Sequence, residues 1–259
     1  MITFDDVYDI KNNGALVLGK NRLDDYATKF LTKYCPSALM SPMRIPIEEI
    51  LSKMGLKVIN RALSKNLDIF GCCIMFDCDI EVYKYEKYRN EHFKEGTIII
   101  DPKSEALYGK GQERNTLMHE IIHWEKDKRY FEILNLTKKF QEEKLYPIMC
   151  KQSTTYYEPS EKLKTRENEV NWLEWQAHRL APRILMPKEM FNEKARQYMH
   201  NRELKSCDEL ISKLSRFFGT SRLSVKYRLL EVGLKDSISD YEDFKKIYNY
   251  DNAKEYSKI

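Results

Sequence analysis

The sharpest chemical pattern in the chain is His119-Glu120-Ile121-Ile122-His123, two histidines four positions apart with a glutamate beside the first. On an α-helix, positions four apart share a face, with Cβ atoms about 5–6 Å apart. Two imidazoles so placed can reach one ion at Zn–N distances of about 2.0–2.1 Å. Glu120 then stands beside the open metal position, where it can take a proton from water. The competing reading is a surface helix carrying two incidental histidines. Ile121 and Ile122 count against it, because they place part of the helix in a core, and a buried imidazole needs a partner that a metal supplies. Leu117, Ile121 and Trp124 recur at helical spacing, and Asn115 or Thr116 is expected to cap the helix start.

A third ligand is sought in the run ENEVNWLEWQAHRLAPRILMP, which begins at Glu167. On a helix, Val170, Leu173, Ala177, Leu180 and Ile184 form an apolar stripe, and Glu174 lies within it. An unpaired buried carboxylate is costly, so Glu174 must face a cation. That cation is either an Arg or Lys, or a metal ion for which Glu174 completes a His2Glu set with one position open. Glu167 falls on nearly the same line, but at the helix start it is expected to be exposed. His178 lies one turn after Glu174. It either hydrogen-bonds a ligand or stabilises an oxyanion, or it is a satisfied core histidine. His92 and His200 stand in polar segments and read as solvated.

The remaining elements must position these groups. Residues 22–34 read as an amphipathic helix, and a second is expected near 46–54, with Pro46 in its first turn and Gly55 just past its end. A short strand covers 56–59. Residues 69–83 read as one strand, with Phe76, Cys78, Ile80 and Val82 alternating with Asp77, Asp79 and Glu81. The charged segment with Tyr85, Tyr88 and His92 reads as a loop. Thr97-Ile98-Ile99-Ile100 is a β-branched strand stopped by Pro102, and it is the candidate edge to which an extended substrate would add. Helix is expected to continue past Trp124 to about 145, followed by a looser stretch with Pro147 and Pro159. Pro182 should end or kink the Glu174 helix, and Pro187 starts another that runs to about His200. Ser206-Cys207-Asp208-Glu209 is a capping box. Gly219 and Ser221 then end one helix and cap the next, the outline of a helix-turn-helix. Arg222, Lys226 and Arg228 either face phosphate or serve packing and partner docking, the second being the stronger reading.

Composition excludes little. The 259 residues carry a net charge of +4, with 42% apolar and 32% charged residues, which suits a folded core and neither demands nor forbids nucleic acid. No apolar run approaches the roughly 18 residues that span a bilayer, and the acidic N-terminus does not read as a signal peptide. Six cysteines, at 35, 72, 73, 78, 150 and 207, are expected as reduced thiols in a cytoplasm. Cys72, Cys73 and Cys78 cluster without paired CxxC spacing, so they read as strand-core thiols rather than a second metal site. There are no internal repeats.

Three ordered blocks, NTLMHEIIHW, EWQAHRLAPRILMP and SRFFGTSRLSVKYRL, together with the strand GTIIIDP, resemble the ImmA/IrrE family of metallo-endopeptidases. The likeness covers about residues 36–235. It implies an α+β fold, a mainly helical zincin-like domain with a small β-sheet beside the HExxH helix and a C-terminal helix-turn-helix-like pair. The division it implies is an N-terminal helical extension at 1–35, the peptidase domain at 36–200, the helix pair at 201–235 and a polar tail at 236–259. It further implies His119, His123 and Glu174 as ligands of Zn2+, with Mn2+ or Fe2+ accepting the same set, and Glu120 as the catalytic base. The implied activity is limited proteolysis of a protein substrate, often a helix-turn-helix repressor of a mobile element or stress response, in a bacterial cytoplasm. Two departures stand out. His178 replaces the usual Asn or Asp, and the long gap between His123 and Glu174 suggests an insertion at about 126–166 over the cleft. The alternative function is a non-proteolytic regulatory protein, stabilised by its metal, that docks on a repressor or on DNA.

Overall fold

The computed structural model describes residues 9–10, 14–139, 148–151, 166–200, 204 and 206–234. A short ladder, β1 (Asp9–Ile10) with β2 (Leu16–Val17), precedes α1 (Leu23–Tyr34) and α2 (Ile47–Met54). Pro46 stands just before the first turn of α2 rather than inside it, and Gly55 closes the helix at φ 69°, a left-handed conformation that favours glycine.

The principal sheet has the order β3 (Lys57–Asn60), β7 (Thr97–Ile100), β4 (Ile69–Cys73), β8 (Ile148–Lys151). β3 runs parallel to β7, while β4 is antiparallel to both β7 and β8. Thr97–Ile100 is therefore an interior strand, paired on both sides and buried throughout, and not the open edge expected of it. The reason is legible in hindsight: an unbroken β-branched run marks a strand covered on both faces, whereas edges carry charge, as Lys57 does on β3.

The strand expected over 69–83 is two strands in different sheets. β4 ends at Cys73, and the chain turns where Asp77 accepts hydrogen bonds from the Glu95 amide and the Lys94 ammonium, each at 2.8 Å. β5 (Cys78–Lys84) then pairs with β6 (Lys87–Phe93), so the segment expected to be a loop is the second arm of a hairpin. Its two-residue turn is Tyr85-Glu86, with φ 52° and 60°. Turns of that shape usually take Asn-Gly, so the sequence carries no turn signal there. His92 is exposed, as expected, and bonds Asp79 at 2.8 Å.

After α3 (Pro102–Tyr108), Gly109 at φ 79° restarts the chain as α4 (Lys110–Ile122). Asn115 and Thr116 thus lie inside the helix and do not cap it. A π-helical turn (His123–Asp127) links α4 to α5 (Lys128–Lys139). Residues 140–147, including Pro147, and 152–165, including Pro159, lie outside the described residues. α6 (Arg166–Leu185) passes through Pro182 and stops three residues later, and α7 (Lys188–His200) follows. α8 (Cys207–Phe218) is capped by Ser206, whose Oγ accepts from the Glu209 amide, and α9 (Arg222–Glu231) by Ser221.

Two of the apolar clusters organise the helices. The larger joins α1, α2, α4, α6 and the helix-facing side of the sheet, so residues 23–34 belong to the main core. The smaller holds Met186 and the inner faces of α7, α8 and α9. The fold is mostly helical, of α+β class.

Candidate metal centre

α4 and α6 pack against each other. α4 presents His119, the π-helical turn that follows it presents His123 one turn on, and α6 presents Glu174, all three buried. The Nε2 atoms of the two histidines are 2.9 Å apart. Each lies 3.3 Å from a different Glu174 oxygen. Four ligands placed tetrahedrally around an ion at about 2.05 Å are about 3.3 Å from one another, so the three donors already stand at coordination spacing. Among the described residues, these three form the one His/Cys/Asp/Glu group that could hold a metal ion.

Electrostatics point the same way. Burial pushes the Glu174 carboxyl up, but the facing charges of His123 and His119 more than reverse this and hold it well below the usual carboxylate range. Burial would lower His123, yet Glu174 and the Asp127 carboxylate behind it raise its pKa to about 10. His119 is lowered, chiefly by burial, with Glu174 acting against the shift. A proton on His123, or a metal ion in the proton's place, would balance the Glu174 carboxylate. Neither Glu174 oxygen completes a hydrogen bond, and no Arg or Lys faces it at ion-pair distance among the described residues. The donor set fits a borderline divalent ion such as Zn2+, with Mn2+ or Fe2+ served by the same atoms.

Glu120, beside His119, is fully buried, and neither of its oxygens completes a hydrogen bond. Burial raises its pKa well above the usual carboxylate range, reinforced by the charge of Glu174 and opposed by His123 and by the Cys73 amide of β4. Gly71, also on β4, makes the space: a Cβ there would lie 2.9 Å from Glu120 Oε1 and 2.7 Å from Thr116 Cγ2. Sequence reasoning missed Gly71. A glycine inside a strand was the available signal, since it marks a close approach by another group.

Asp127 was missed as well. Its Oδ2 lies 2.7 Å from His123 Nδ1, which fixes the ring with Nε2 toward the cluster. Its Oδ1 accepts from the buried Lys126 ammonium, so an ion pair backs the histidine. The signal was spacing, because Asp127 follows His123 by one turn. The intervening turn is π-helical, an irregularity frequent at functional sites.

His178 is close to the cluster but outside it. Its ring centre is 4.4 Å from that of His119, and its Nε2 is buried without a partner. Burial, then the neighbouring His119 and His123, lowers its pKa to about 3, so it is neutral at ordinary pH. His200 is exposed and bonds the Arg196 carbonyl at 2.7 Å.

The other candidates stand elsewhere. Cys72 and Cys73 are buried strand thiols, raised chiefly by burial, and Cys78 is pushed up to about 11 by burial and by Asp79 and Asp77. Of the three basic residues offered to phosphate, Arg228 is buried and bonds Met186 O at 3.0 Å, Asp24 at 2.5 Å and Glu231 at 3.2 Å. Arg222 pairs with Asp208 on α8, and Lys226 has interactions within the chain. Arg228 is thus a packing residue, not a phosphate reader.

Residues 157–230 match the family model described as the IrrE N-terminal-like domain, a peptidase family, which supports the ImmA/IrrE resemblance. The matched span includes Glu174 and the helices after it but not HEIIH. No curated protein matches significantly. A solved Mycobacterium tuberculosis transcriptional regulator is similar over 81% of this chain and 46% of its own length, at 15% identity and a TM-score of 0.43. This chain therefore spans less than half of that protein, and likeness at that score decides neither fold nor function.

Proposed function

We propose that the chain is a metal-dependent endopeptidase that performs limited proteolysis on a regulatory protein. The observation that carries this reading is the buried His119–His123–Glu174 donor set at coordination spacing, with the unpartnered Glu120 carboxylate beside it. A divalent ion bound there supplies Lewis-acid polarisation of a carbonyl and brings the pKa of a water to about 7. Glu120 takes the proton as the water oxygen attacks the scissile carbonyl carbon, then delivers it to the nitrogen as the C–N bond breaks. His178, whose buried Nε2 has no hydrogen-bond partner, is the proposed group to steady a ligand or the developing oxyanion. An extended peptide is proposed to approach Glu120 beside β4, the strand whose Gly71 and Cys73 lie next to its carboxylate.

The resemblance makes a helix-turn-helix repressor of a mobile element or stress response, in a bacterial cytoplasm, the proposed substrate. No helix among the described residues is long and apolar enough to cross a membrane. The test is cleavage of a repressor encoded beside this gene, with and without chelator. Glu120→Gln should keep bound metal and lose about 10²–10⁴ in rate. Cleavage as fast as the unaltered protein's sinks the base assignment. Glu174→Ala should strip metal, and unchanged metal content sinks the ligand set. A protein that binds the repressor with metal in place but never cuts it is the regulatory binder of the alternative reading.

A further inference from the structure

The outer edge of β4 is where a peptide must lie to meet Glu120, and the chain itself already occupies it. Backbone bonding along β4 fixes which way each residue faces. Phe70 O accepts from the Asp101 amide, Ile74 N donates to Thr97 O, and Ile74 O accepts from the Gly96 amide, each at 2.9 Å. The even-numbered residues thus face β7 and the Asp101 side, and Gly71 and Cys73 face the other way. β8 pairs along that edge, and Glu120 stands against the sheet face at Gly71, near the Cys73 amide. β8 runs antiparallel to β4, with Cys150 opposite Gly71, Met149 opposite Cys72 and Ile148 opposite Cys73.

We infer that Ile148–Lys151 is an intramolecular occupant of the substrate-strand site, so that a protein substrate enters only in competition with it. This inference rests on the peptidase reading for the identity of the site, though the competition itself does not require cleavage. Distance decides against the alternative, in which substrate adds outside β8. Neighbouring strands are about 4.7–4.9 Å apart, so a peptide beyond β8 would lie about 9.5 Å from β4. Glu120 Oε1, by contrast, is 2.9 Å from the Cβ position of Gly71, and a proton relay through one water needs contacts of about 3 Å at each step. The place held by β8 is the strand position next to β4, the strand whose Gly71 lies against Glu120. The occupant comes from the segment between the metal-bearing helices, the expected insertion, and is therefore tied to the site at high local concentration. The substrate class follows: an extended segment whose backbone can pair antiparallel with Gly71–Cys73, presented at a concentration or affinity sufficient to displace a four-residue strand.

The test is peptide binding rather than turnover. In a Glu120→Gln background, a fluorescently labelled peptide spanning residues 145–154 is titrated against the full chain and against the same chain carrying Ile148→Pro and Cys150→Pro, which cannot maintain the ladder with β4. The proline variant should bind at least tenfold more tightly. Equal or weaker binding by a variant with unchanged circular dichroism overturns the inference. If the prolines unfold the chain, replacing residues 146–152 by Gly and Ser at equal length carries the same comparison. Metal content, measured separately, reports on the peptidase reading, so failure of one is distinguishable from failure of the other.

Discussion

Asp127 shows how much of a candidate metal centre lies behind its proposed ligands. Its carboxylate holds His123 Nδ1 at 2.7 Å and is itself paired with buried Lys126, so two charges are fixed to aim one imidazole. Asp127→Asn should lower metal affinity about 10- to 100-fold, measured by competition with a chromophoric chelator; unchanged affinity would reduce the pair to packing. His178 presents the opposite case, a histidine near the reacting groups with no ligand role of its own. His178→Ala should retain metal and lose about 10²-fold in turnover if Nε2 donates to an oxyanion, and His178→Asn, the type usual at this position in the resembled family, should restore part of it. Turnover undiminished in the alanine variant assigns the ring to packing against His119. The proposed ligands were legible as candidates. HEIIH declares its own geometry once a helix is granted, and Glu174 declares itself as a carboxylate inside an apolar stripe. Asp127 was not, because an acidic residue in a charged run carries no mark of burial.

At the scale of elements, the contact between β4 and α4 sets the position of Glu120, the candidate base. Gly71 allows the strand to lie against Thr116 and Glu120, and a methyl group there meets both at under 3.0 Å. Gly71→Ala should destabilise the protein by about 1–3 kcal/mol through overpacking and reduce cleavage beyond what lost stability explains. A variant with unchanged melting temperature and full turnover would mean that the strand backs away freely. Element reading from sequence succeeded where one rule governed. α1, the Ser206 and Ser221 caps and the glycines after α2 and α8 all stand where periodicity and capping chemistry put them. It failed where tertiary pairing overrode local pattern. One alternating run became two strands, a charged segment became a hairpin arm, and the supposed edge strand became the sheet's interior.

Across the whole molecule, the C-terminal helices are fastened to the site-bearing core by buried charge. Arg228 on α9 and Arg183 on α6 converge on Asp24 of α1 and Glu231, while Arg114 of α4 donates to Gly219 O at 3.1 Å and Ile45 O at 2.6 Å. Burial would raise the Asp24 pKa, but the Arg228 and Arg183 guanidiniums lower it overall. Its folded pKa is thus below the unfolded value of about 3.9, so the stability it contributes is present above that pH and is lost as pH falls through the folded value. Asp24→Asn should cost about 1–3 kcal/mol at pH 7, and the gap from the unaltered protein should close as pH drops below about 4. A gap independent of pH would remove Asp24 from the network's electrostatics. The sequence by itself determined the helical faces, the caps, the two histidines, the candidate base and the buried carboxylate, because each follows from spacing within one element. Tertiary structure alone decided that Glu174 meets the histidines at 3.3 Å, that Arg228 is fastened inside rather than offered to phosphate, and that β8 lies on the edge beside Glu120. These are contacts between residues far apart in the chain, and no local period encodes which distant partner a buried group will find.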